Sequence, residues 1–485
     1  MSAFEQRYAA SGLLALTLAV LAWRFLVVPM LGISLYVDEA QYWTWAQHLS
    51  WGYFSKPPGV AALIAASTAL FGDGILGVKA LGMLCYPAAA WIAYAIAGRL
   101  YDPRTAFWAG VAVLTLPMFS WLGIFVSTDA LLTLFWLLAL YAYLNAVERD
   151  RWQDWLLLGA ICGLGLMSKY TMVAWMLAAL LHLAVFHRER LKSLRPWTAV
   201  LVALAILAPN IAWNVANDFP TLKHTADITV NKHAGGGFKA LGEFLAAQWI
   251  AFGPVFGTVF LVLLAGARKT WRDEKLRLLL WFSLPLWAVV SLQAVKSNAN
   301  ANWAAPAFAP AAIAVVAWLL AGNRKRLLAI GLAINLALVA LVYHWPQMLA
   351  AAGVQEASKK NPFTRATGWD ELGRQLQPIV AAHRDAVLIA DNRTLLAHML
   401  YELRDLSPAA ASWNPTGLKS DHYKLTTDLS PYVGRDALLI TRDTPSQDMI
   451  RRFDGMEHLR QLKAPLDERH ALTMDVYLLH GFKGY

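Results

Sequence analysis

Two adjacent carboxylates, Asp38 and Glu39, directly follow the first long apolar segment of the sequence. Carboxylates serve enzymes as proton acceptors and serve hard cations as ligands. A carboxylate at a membrane boundary is costly to desolvate, and those that occur there tend to be paired or functional. Asp38 also precedes a predicted helix over 39–49, where Asp is a common N-cap residue. A functional role and a capping role are therefore both open for Asp38, and they are compatible.

Lys56, Lys169 and Lys296 stand at the ends of other apolar segments. Pro57 and Pro58 follow the first of them and restrict the backbone, which holds Lys56 in place. Alternatively, the aromatic and proline-rich stretch 51–59 is a kinked loop anchored at a membrane interface. A lysine ammonium is a point charge that suits phosphate groups. These cations therefore indicate where a phosphate could bind.

The composition predicts that the elements positioning these residues are membrane helices. The chain has 485 residues, of which 58% are hydrophobic and only 15% are charged. A soluble protein carries about a quarter charged residues, so these charges could not cover a soluble surface of this size. The net charge of +10 has an explanation in topology, since Lys and Arg collect in cytoplasmic loops, and it does not call for nucleic acid. Cys85 and Cys162 lie in apolar stretches and indicate neither a disulfide framework nor a metal cluster.

About eleven apolar segments are candidates to cross the membrane, which takes roughly 20 residues each. They cover residues 12–31, 76–98, 105–119, 128–147, 155–168, 170–186, 197–215, 246–266, 278–295, 304–321 and 327–345. The short segments within 155–186 could form one broken helix pair. Arg24 interrupts the first segment, which lacks a cleavage site, so we expect a retained helix and no signal peptide.

Lys and Arg residues alternate between the predicted loops, with about 17 on one side against about 7 on the other. By the positive-inside rule, the N-terminus is cytoplasmic. An odd number of spans then places loops 32–75, 216–245 and 296–303, and everything after Trp345, outside the cytoplasm. His224 and His233 lie in a loop that ends in three glycines, Gly235–Gly237, and that flexibility suggests a gate over an acceptor cleft.

The composition changes after Pro346, where charged residues become frequent. Apolar bursts at Val387–Ala390, Ala437–Thr441 and Val476–Leu479 predict strands, and the spacing over Arg393–Leu403 predicts a helix. The fold class is therefore mostly α: a polytopic membrane bundle over residues 1–346, followed by a small extracytoplasmic α/β domain over 347–485, the tail. The tail has no glycine-rich phosphate loop, and we interpret it as a cap or acceptor-docking domain.

Several motifs together make residues 10–320 resemble the GT-C glycosyltransferases of the protein mannosyltransferase and lipid A aminoarabinose transferase type, that is, glycosyltransferase family 39. The motifs are Asp38-Glu39, then Lys56-Pro57-Pro58, Ser127-Thr128-Asp129-Ala130, Gly163-Leu164-Gly165-Leu166-Met167-Ser168-Lys169-Tyr170 and Pro209-Asn210-Ile211-Ala212-Trp213-Asn214. Their order and their common outer side make the combination specific. Tyr170 stands where the family more often has glycine.

The resemblance implies an inner-membrane enzyme that takes a sugar from a polyprenyl-phosphate carrier and passes it, with inversion, to lipid A, another envelope glycan or a protein. It implies a catalytic acid pair in which Asp38 is the base. The other implied site residues are Lys56, Lys169 and Tyr170 at the donor phosphate and Tyr53, Asp129, Asn214 and Lys296 at the substrates. Glu39 and Asp129 could also bind a divalent cation, although we predict no essential metal or cofactor.

The principal alternative is a transporter or flippase of lipid-linked sugars, whose broken helices also carry polar residues. Such proteins place those residues near the membrane midplane and show repeats, whereas here they cluster on one predicted face. An inactive assembly partner would have lost the acid at position 38. An enzyme that uses nucleotide sugars would need a cytoplasmic nucleotide domain, and the predicted cytoplasmic loops are too short for one.

Overall fold

The computed structural model describes residues 3–228, 236–297, 299–354 and 356–485. His233, part of the predicted gate, lies outside these residues. The chain forms two compact units: Met1–Val27 with Lys56–Tyr343, here the membrane unit, and Val28–Ser55 with His344–Tyr485, here the sheet unit. The predicted domain boundary at residue 346 placed residues 28–55 with the membrane bundle, whereas in the structure they fold with the tail.

Helices make up most of the chain. Those up to Tyr343 are α1 Ala3–Met30, α2 Val37–Gln47, α3 Gly59–Phe71, α4 Ile75–Leu100, α5 Pro103–Thr115, α6 Pro117–Leu122, α7 Thr128–Arg149, α8 Trp152–Ser168, α9 Met172–Phe186, α10 Arg195–Ala216, α11 Pro220–Ala226, α12 Phe238–Phe252, α13 Pro254–Ala265, α14 Ala267–Thr270, α15 Glu274–Trp281, α16 Leu284–Lys296, α17 Ala305–Ala321 and α18 Lys325–Tyr343. Those that follow are α19 Trp345–Ala351, α20 Ala357–Lys360, α21 Trp369–Ala382, α22 Arg393–Glu402, α23 His422–Thr426 and α24 Gln447–Arg451.

Each of the eleven predicted apolar segments is helical, which confirms a polytopic helical membrane protein. Among the described residues, seven helices are long and apolar enough to cross a membrane, or eight if one bent pair counts as a single span. The prediction of about eleven spans is higher because several segments are short or broken. Helix α9, for example, has only 15 residues.

Proline and glycine account for two of the breaks. Pro117 ends α5 and begins α6, since proline has no N–H for the helix ladder and suits the first helical position. The axes of α12 and α13 differ by 114° across Gly253, whose φ of 91° favours glycine. A Cβ at Gly253 would also collide with the buried Asn335 side chain of α18. This corner therefore needs glycine.

The core of the membrane unit is built around α17, which is buried over most of its length. This helix packs against α4, α5, α7 and α13. Its alanines allow close approach of neighbouring helices, as is usual inside membranes. Helix α7, which carries Asp129, thus packs directly against this buried helix.

The sheet unit contains a five-stranded sheet in the order β2-β1-β3-β5-β4. The strands are β1 Val387–Ala390, β2 Ala410–Ser412, β3 Ala437–Thr441, β4 Gly455–Pro465 and β5 Ala471–His480. Strand β1 is parallel to β2 and β3, and β5 is antiparallel to β3 and β4. The three predicted strands and the predicted helix are confirmed as β1, β3, β5 and α22. Strand β4 has no apolar run because most of its residues are exposed, so its sequence did not reveal it.

Candidate active site

Glu39, not Asp38, satisfies the start of α2. The helix begins at Val37, and the Glu39 carboxylate accepts a hydrogen bond from the backbone N–H of Tyr36 at 2.9 Å. Glu39 is also buried. The alternative in which Asp38 caps this helix is therefore wrong, because the neighbouring acid performs that task. A catalytic role for Glu39 stays a prediction.

Asp38 instead faces a cation from the tail. Its Oδ1 lies 3.2 Å from Nη2 of Arg393, and Nη1 of the same guanidinium donates to Oε1 of Gln41 at 2.8 Å. The Asp38 side chain is 47% exposed, so water and a substrate can reach it. No local sequence pattern predicts this partner of Asp38, which lies 355 residues away along the chain.

Further contacts join α2 and its flanking loop to the tail within the sheet unit. Ser34 donates to the Glu402 carboxylate at the end of α22, and burial raises the pKa of Glu402. The Trp43 and Tyr401 rings meet edge-on at 5.3 Å. The tail thus positions the segment that carries Asp38.

Tyr53 closes the loop that follows α2. Its buried hydroxyl donates to the carbonyls of Trp45 and His48 and accepts from the backbone N–H of Ser50 at 3.0 Å. Its ring stacks on Trp45 with 4.4 Å between the centroids. These contacts give Tyr53 a structural task, and its predicted contact with substrate stays a prediction.

Two of the predicted motifs and the predicted loop 296–303 meet at Asp129 in the membrane unit. The Lys169 ammonium lies 2.6 Å from Oδ1 of Asp129, and the Asn302 amide donates to Oδ2 at 2.8 Å. Asp129 stands in the first turn of α7, where the helix dipole favours a negative charge. The side chains of Asp129 and Lys169 are 4% and 16% exposed. The cluster is therefore a preorganised ion pair with a hydrogen-bonded carboxylate.

The turn that carries Lys56 packs against the segment that carries Lys169. A Cβ at Gly59 would lie 2.8 Å from the carbonyl oxygen of Met167 and 2.9 Å from Cα of Ser168. Only glycine permits this approach. Lys56, which is half-buried, precedes Gly59 by three residues, and Lys169 directly follows Ser168. The two lysines therefore flank the same backbone contact.

Tyr170 links this region to α10. Its hydroxyl donates to Oδ1 of Asn210 and accepts from Nδ2 of Asn214 at 3.2 Å. Both asparagines are buried, and Oδ1 of Asn214 has no hydrogen-bond partner within the described part of the chain. Tyr170 thus ties two motifs together. Phosphate binding by Tyr170 and substrate binding by Asn214 stay predictions.

Lys296 is exposed in the last turn of α16. Further along the stretch 296–303, Asn302 donates a hydrogen bond to Asp129. The amide lies six positions further along, where the chain turns back through a short 3₁₀ helix, Ala301–Ala304. The sequence prediction selected the basic Lys296, whereas in the structure the neutral Asn302 amide donates to Asp129.

Two buried cations were also missed as candidate site residues. Lys79 is fully buried in α4, 5.0 Å from the centre of the Phe125 ring. Arg24 is fully buried in α1, and its Nε donates to the Tyr343 hydroxyl at 3.2 Å. A charge inside an apolar segment was the available signal, because such residues are usually functional or paired.

Within the described residues, no group of three or more His, Cys, Asp or Glu side chains is arranged to hold a metal ion. Glu39 and Asp129 also use carboxylate oxygens for the protein contacts given above. Binding of a divalent cation by either residue stays a prediction.

Comparison with known proteins places this arrangement in a family. Residues 55–213 match the family described as dolichyl-phosphate-mannose-protein mannosyltransferase. The chain is 31% identical over 438 residues to the lipid A galacturonosyltransferase RgtD of Rhizobium johnstonii, which covers 89% of this chain and 90% of that protein. It is 28% identical over 366 residues to an undecaprenyl phosphate-alpha-4-amino-4-deoxy-L-arabinose arabinosyl transferase of Pseudomonas fluorescens, covering 68% and 65% of the two chains.

The fold agrees with these relationships. The crystal structure of ArnT from Cupriavidus metallidurans bound to undecaprenyl phosphate superimposes with a TM-score of 0.65 at 17% identity, over 97% of each chain. The similarity therefore includes both the helical bundle and the tail. The resemblance found in the motifs is confirmed, and the chain belongs to the GT-C family of multi-pass membrane glycosyltransferases that includes the lipid A galacturonosyltransferase RgtD.

Proposed function

We propose that this enzyme transfers a sugar from a polyprenyl-phosphate carrier to lipid A on the extracytoplasmic side of the bacterial inner membrane. The observation that carries the proposal is the similarity to a lipid A galacturonosyltransferase, which extends over 89% of this chain. Other relatives are undecaprenyl-phosphate-dependent sugar transferases by name. The proposal specifies a polyprenyl-phosphate donor lipid but not the sugar that this lipid carries.

Asp38 is the proposed general base. It removes the proton from an acceptor hydroxyl as that oxygen attacks the anomeric carbon of the donor sugar. The bond between this carbon and the phosphate oxygen breaks, and polyprenyl phosphate leaves with the electron pair, so the anomeric configuration inverts. The half-exposed carboxylate on α2 suits this role, because a base must be reachable from water and held in one place.

Lys169 and Lys56 are the proposed partners of the departing phosphate. Lys169 uses one of the three donors of its ammonium group on Asp129, which fixes the side chain and leaves the other donors for phosphate oxygens. Preorganised cations of this kind stabilise the negative charge that develops on a leaving group. In this scheme Asp129 and Asn302 position Lys169, and Tyr170 and Asn214 line the same side of the membrane unit at the start of α9 and the end of α10.

The proposed topology has a cytoplasmic N-terminus and an extracytoplasmic tail. The Lys and Arg asymmetry supports it. A second argument comes from the sheet unit, in which residues 28–55 fold together with residues 344–485. The loop after the first span and the tail then lie on one side of the membrane, which requires an odd number of crossings. We also propose that residues 1–346 carry the donor site and that residues 347–485 help to dock the acceptor.

The experiment that tests this function uses purified full-length protein in liposomes with a polyprenyl-phosphate sugar and lipid A. We expect lipid A to gain the mass of one sugar residue while one polyprenyl phosphate is released. Movement of the donor between leaflets without any mass gain on an acceptor would contradict the proposal and favour a flippase.

A further inference from the structure

We propose that Arg393 is a positioning residue for the reaction, which aims the Asp38 carboxylate at the acceptor hydroxyl. The inference rests on the proposed function in one respect, the role of Asp38 as base. It assigns to the tail a task beyond capping or docking, because Arg393 belongs to the tail.

The guanidinium of Arg393 holds two acceptors on the same face of α2. Nη2 lies 3.2 Å from Oδ1 of Asp38, and Nη1 donates to Oε1 of Gln41 at 2.8 Å. Residues three positions apart are neighbours on a helix surface, so one planar group can reach both. Gln41 is buried, and its amide oxygen therefore fixes one side of the guanidinium.

The backbone that carries Arg393 is itself held in place. Arg393 is the first residue of α22, and Oδ1 of Asn392 caps this helix by accepting from the N–H groups of Thr394 and Leu395, both at 3.1 Å. The preceding strand β1 is the centre of the parallel part of the sheet, between β2 and β3. Functional groups of open sheets gather at the carboxyl ends of such strands, where neighbouring connections run in opposite directions.

This arrangement leaves one oxygen of the base available. In the described part of the chain, the contact with Arg393 involves only Oδ1 of Asp38. The contact restricts rotation of the carboxylate, and the side chain is 47% exposed. A misplacement of about 1 Å can cost roughly 100-fold in rate, so a base that rotates freely loses much of its effect. Arginine is suited to this task because its rigid fork can hold two acceptors, which a lysine point charge cannot.

The test compares Arg393→Ala with Arg393→Lys in full-length protein reconstituted with a polyprenyl-phosphate sugar and lipid A. For Arg393→Ala we expect kcat to fall roughly 10- to 100-fold, the range for a lost hydrogen bond to a charged group, while KM for the donor stays unchanged. Millimolar guanidinium chloride should restore part of kcat in Arg393→Ala, and equal sodium chloride should not. Arg393→Lys should be impaired and not rescued.

The matched control is Arg374→Ala, which removes an arginine paired with Glu371 on α21 of the same unit. This variant should keep wild-type kcat and show no response to guanidinium. Wild-type kcat in folded Arg393→Ala, or a loss that guanidinium does not recover, would overturn the inference. If Arg393→Ala fails to fold, Arg393→Lys decides: impaired kcat at unchanged donor KM supports positioning, and wild-type kcat refutes it.

Asp38→Asn separates this inference from the proposed function. If Asp38→Asn is inactive while Arg393→Ala is fully active, the base assignment stands and only the positioning role fails. If Asp38→Asn is itself active, the base assignment fails independently of any result at Arg393.

Discussion

Individual residues predicted for separate tasks turn out to act on one another. Lys169 was predicted at the donor phosphate and Asp129 at the substrate, yet the two side chains form one ion pair, in which Asp129 is buried and Lys169 is half-buried. Removing one partner of such a pair leaves an uncompensated buried charge, whereas removing both does not. A loss of activity in a single variant at either position therefore needs a stability measurement beside it.

The expected stabilities follow from this pairing. Asp129→Asn or Lys169→Met alone should lower the free energy of unfolding by about 3–5 kcal/mol, and the double variant should lose clearly less than the sum. Thermal unfolding of the purified protein in detergent measures all three variants against wild type. Strict additivity would show that the two charges do not interact.

At the scale of elements, two histidines make the sheet unit sensitive to acid. His398 is fully buried and stacks on Trp369, and His422 is buried beside Trp45. Burial lowers the pKa of each imidazole to about 3, well below its ordinary value of 6.5. Both residues are therefore neutral in the folded unit.

The sign of the pH dependence follows from these two values. In the unfolded chain these two histidines bind protons below about pH 6.5, whereas in the folded unit they do so only near pH 3. Their contribution to the free energy of unfolding is therefore complete above pH 6.5 and falls as the pH drops through this window. Each histidine contributes a loss of about 1.4 kcal/mol per pH unit.

Urea should therefore expose the sheet unit to protease at a lower concentration as the pH falls. We expect a steep decrease in that concentration between about pH 7 and pH 5, which covers roughly the upper half of the window. His398→Phe should make the decrease shallower, because the variant removes one of the two buried imidazoles. A flat profile in wild type would show that these imidazoles are charged or accessible in the folded state.

The helices and strands were predictable wherever one local pattern decides the structure. Long apolar segments gave α4, α7 and α10, and apolar bursts gave β1 and β3. The corner at Gly253 was not predictable, because a hydropathy window averages across a bend. The partnership of Asp38 with Arg393 was also beyond reach, since no local signal joins residues 355 positions apart. In the site, residue types were informative and partners were not.

For the whole molecule, topology is the property that the proposed chemistry requires. A carrier lipid and lipid A meet a base on α2 only if the sheet unit is extracytoplasmic. Alkaline phosphatase fused after Tyr485 should therefore be active in a bacterial host, because it folds only outside the cytoplasm, and a fusion within the Arg188–Arg195 loop should be inactive. Activity of a cytoplasmic reporter at the C-terminus would contradict the proposed topology.

The most direct test of the whole account is sugar transfer by Asp38→Asn in reconstituted membranes. Asparagine keeps the shape of the side chain and can still accept the hydrogen bond from Arg393, but it cannot take a proton from the acceptor hydroxyl. Because general-base catalysis contributes typically 10²–10⁴-fold, we expect a loss of about two to four decades in rate at normal expression and donor binding.

Glu39→Gln is the comparison variant, since its amide oxygen can still accept the Tyr36 hydrogen bond that begins α2. Transfer of radiolabelled sugar from polyprenyl phosphate, at equal protein loading, should be nearly absent for Asp38→Asn and clearly higher for Glu39→Gln. An inactive Glu39→Gln beside an active Asp38→Asn would move the role of the base to Glu39. Retention of more than about a tenth of wild-type transfer by Asp38→Asn, less than one decade lost where base catalysis requires two, would contradict the assignment of Asp38 as the base.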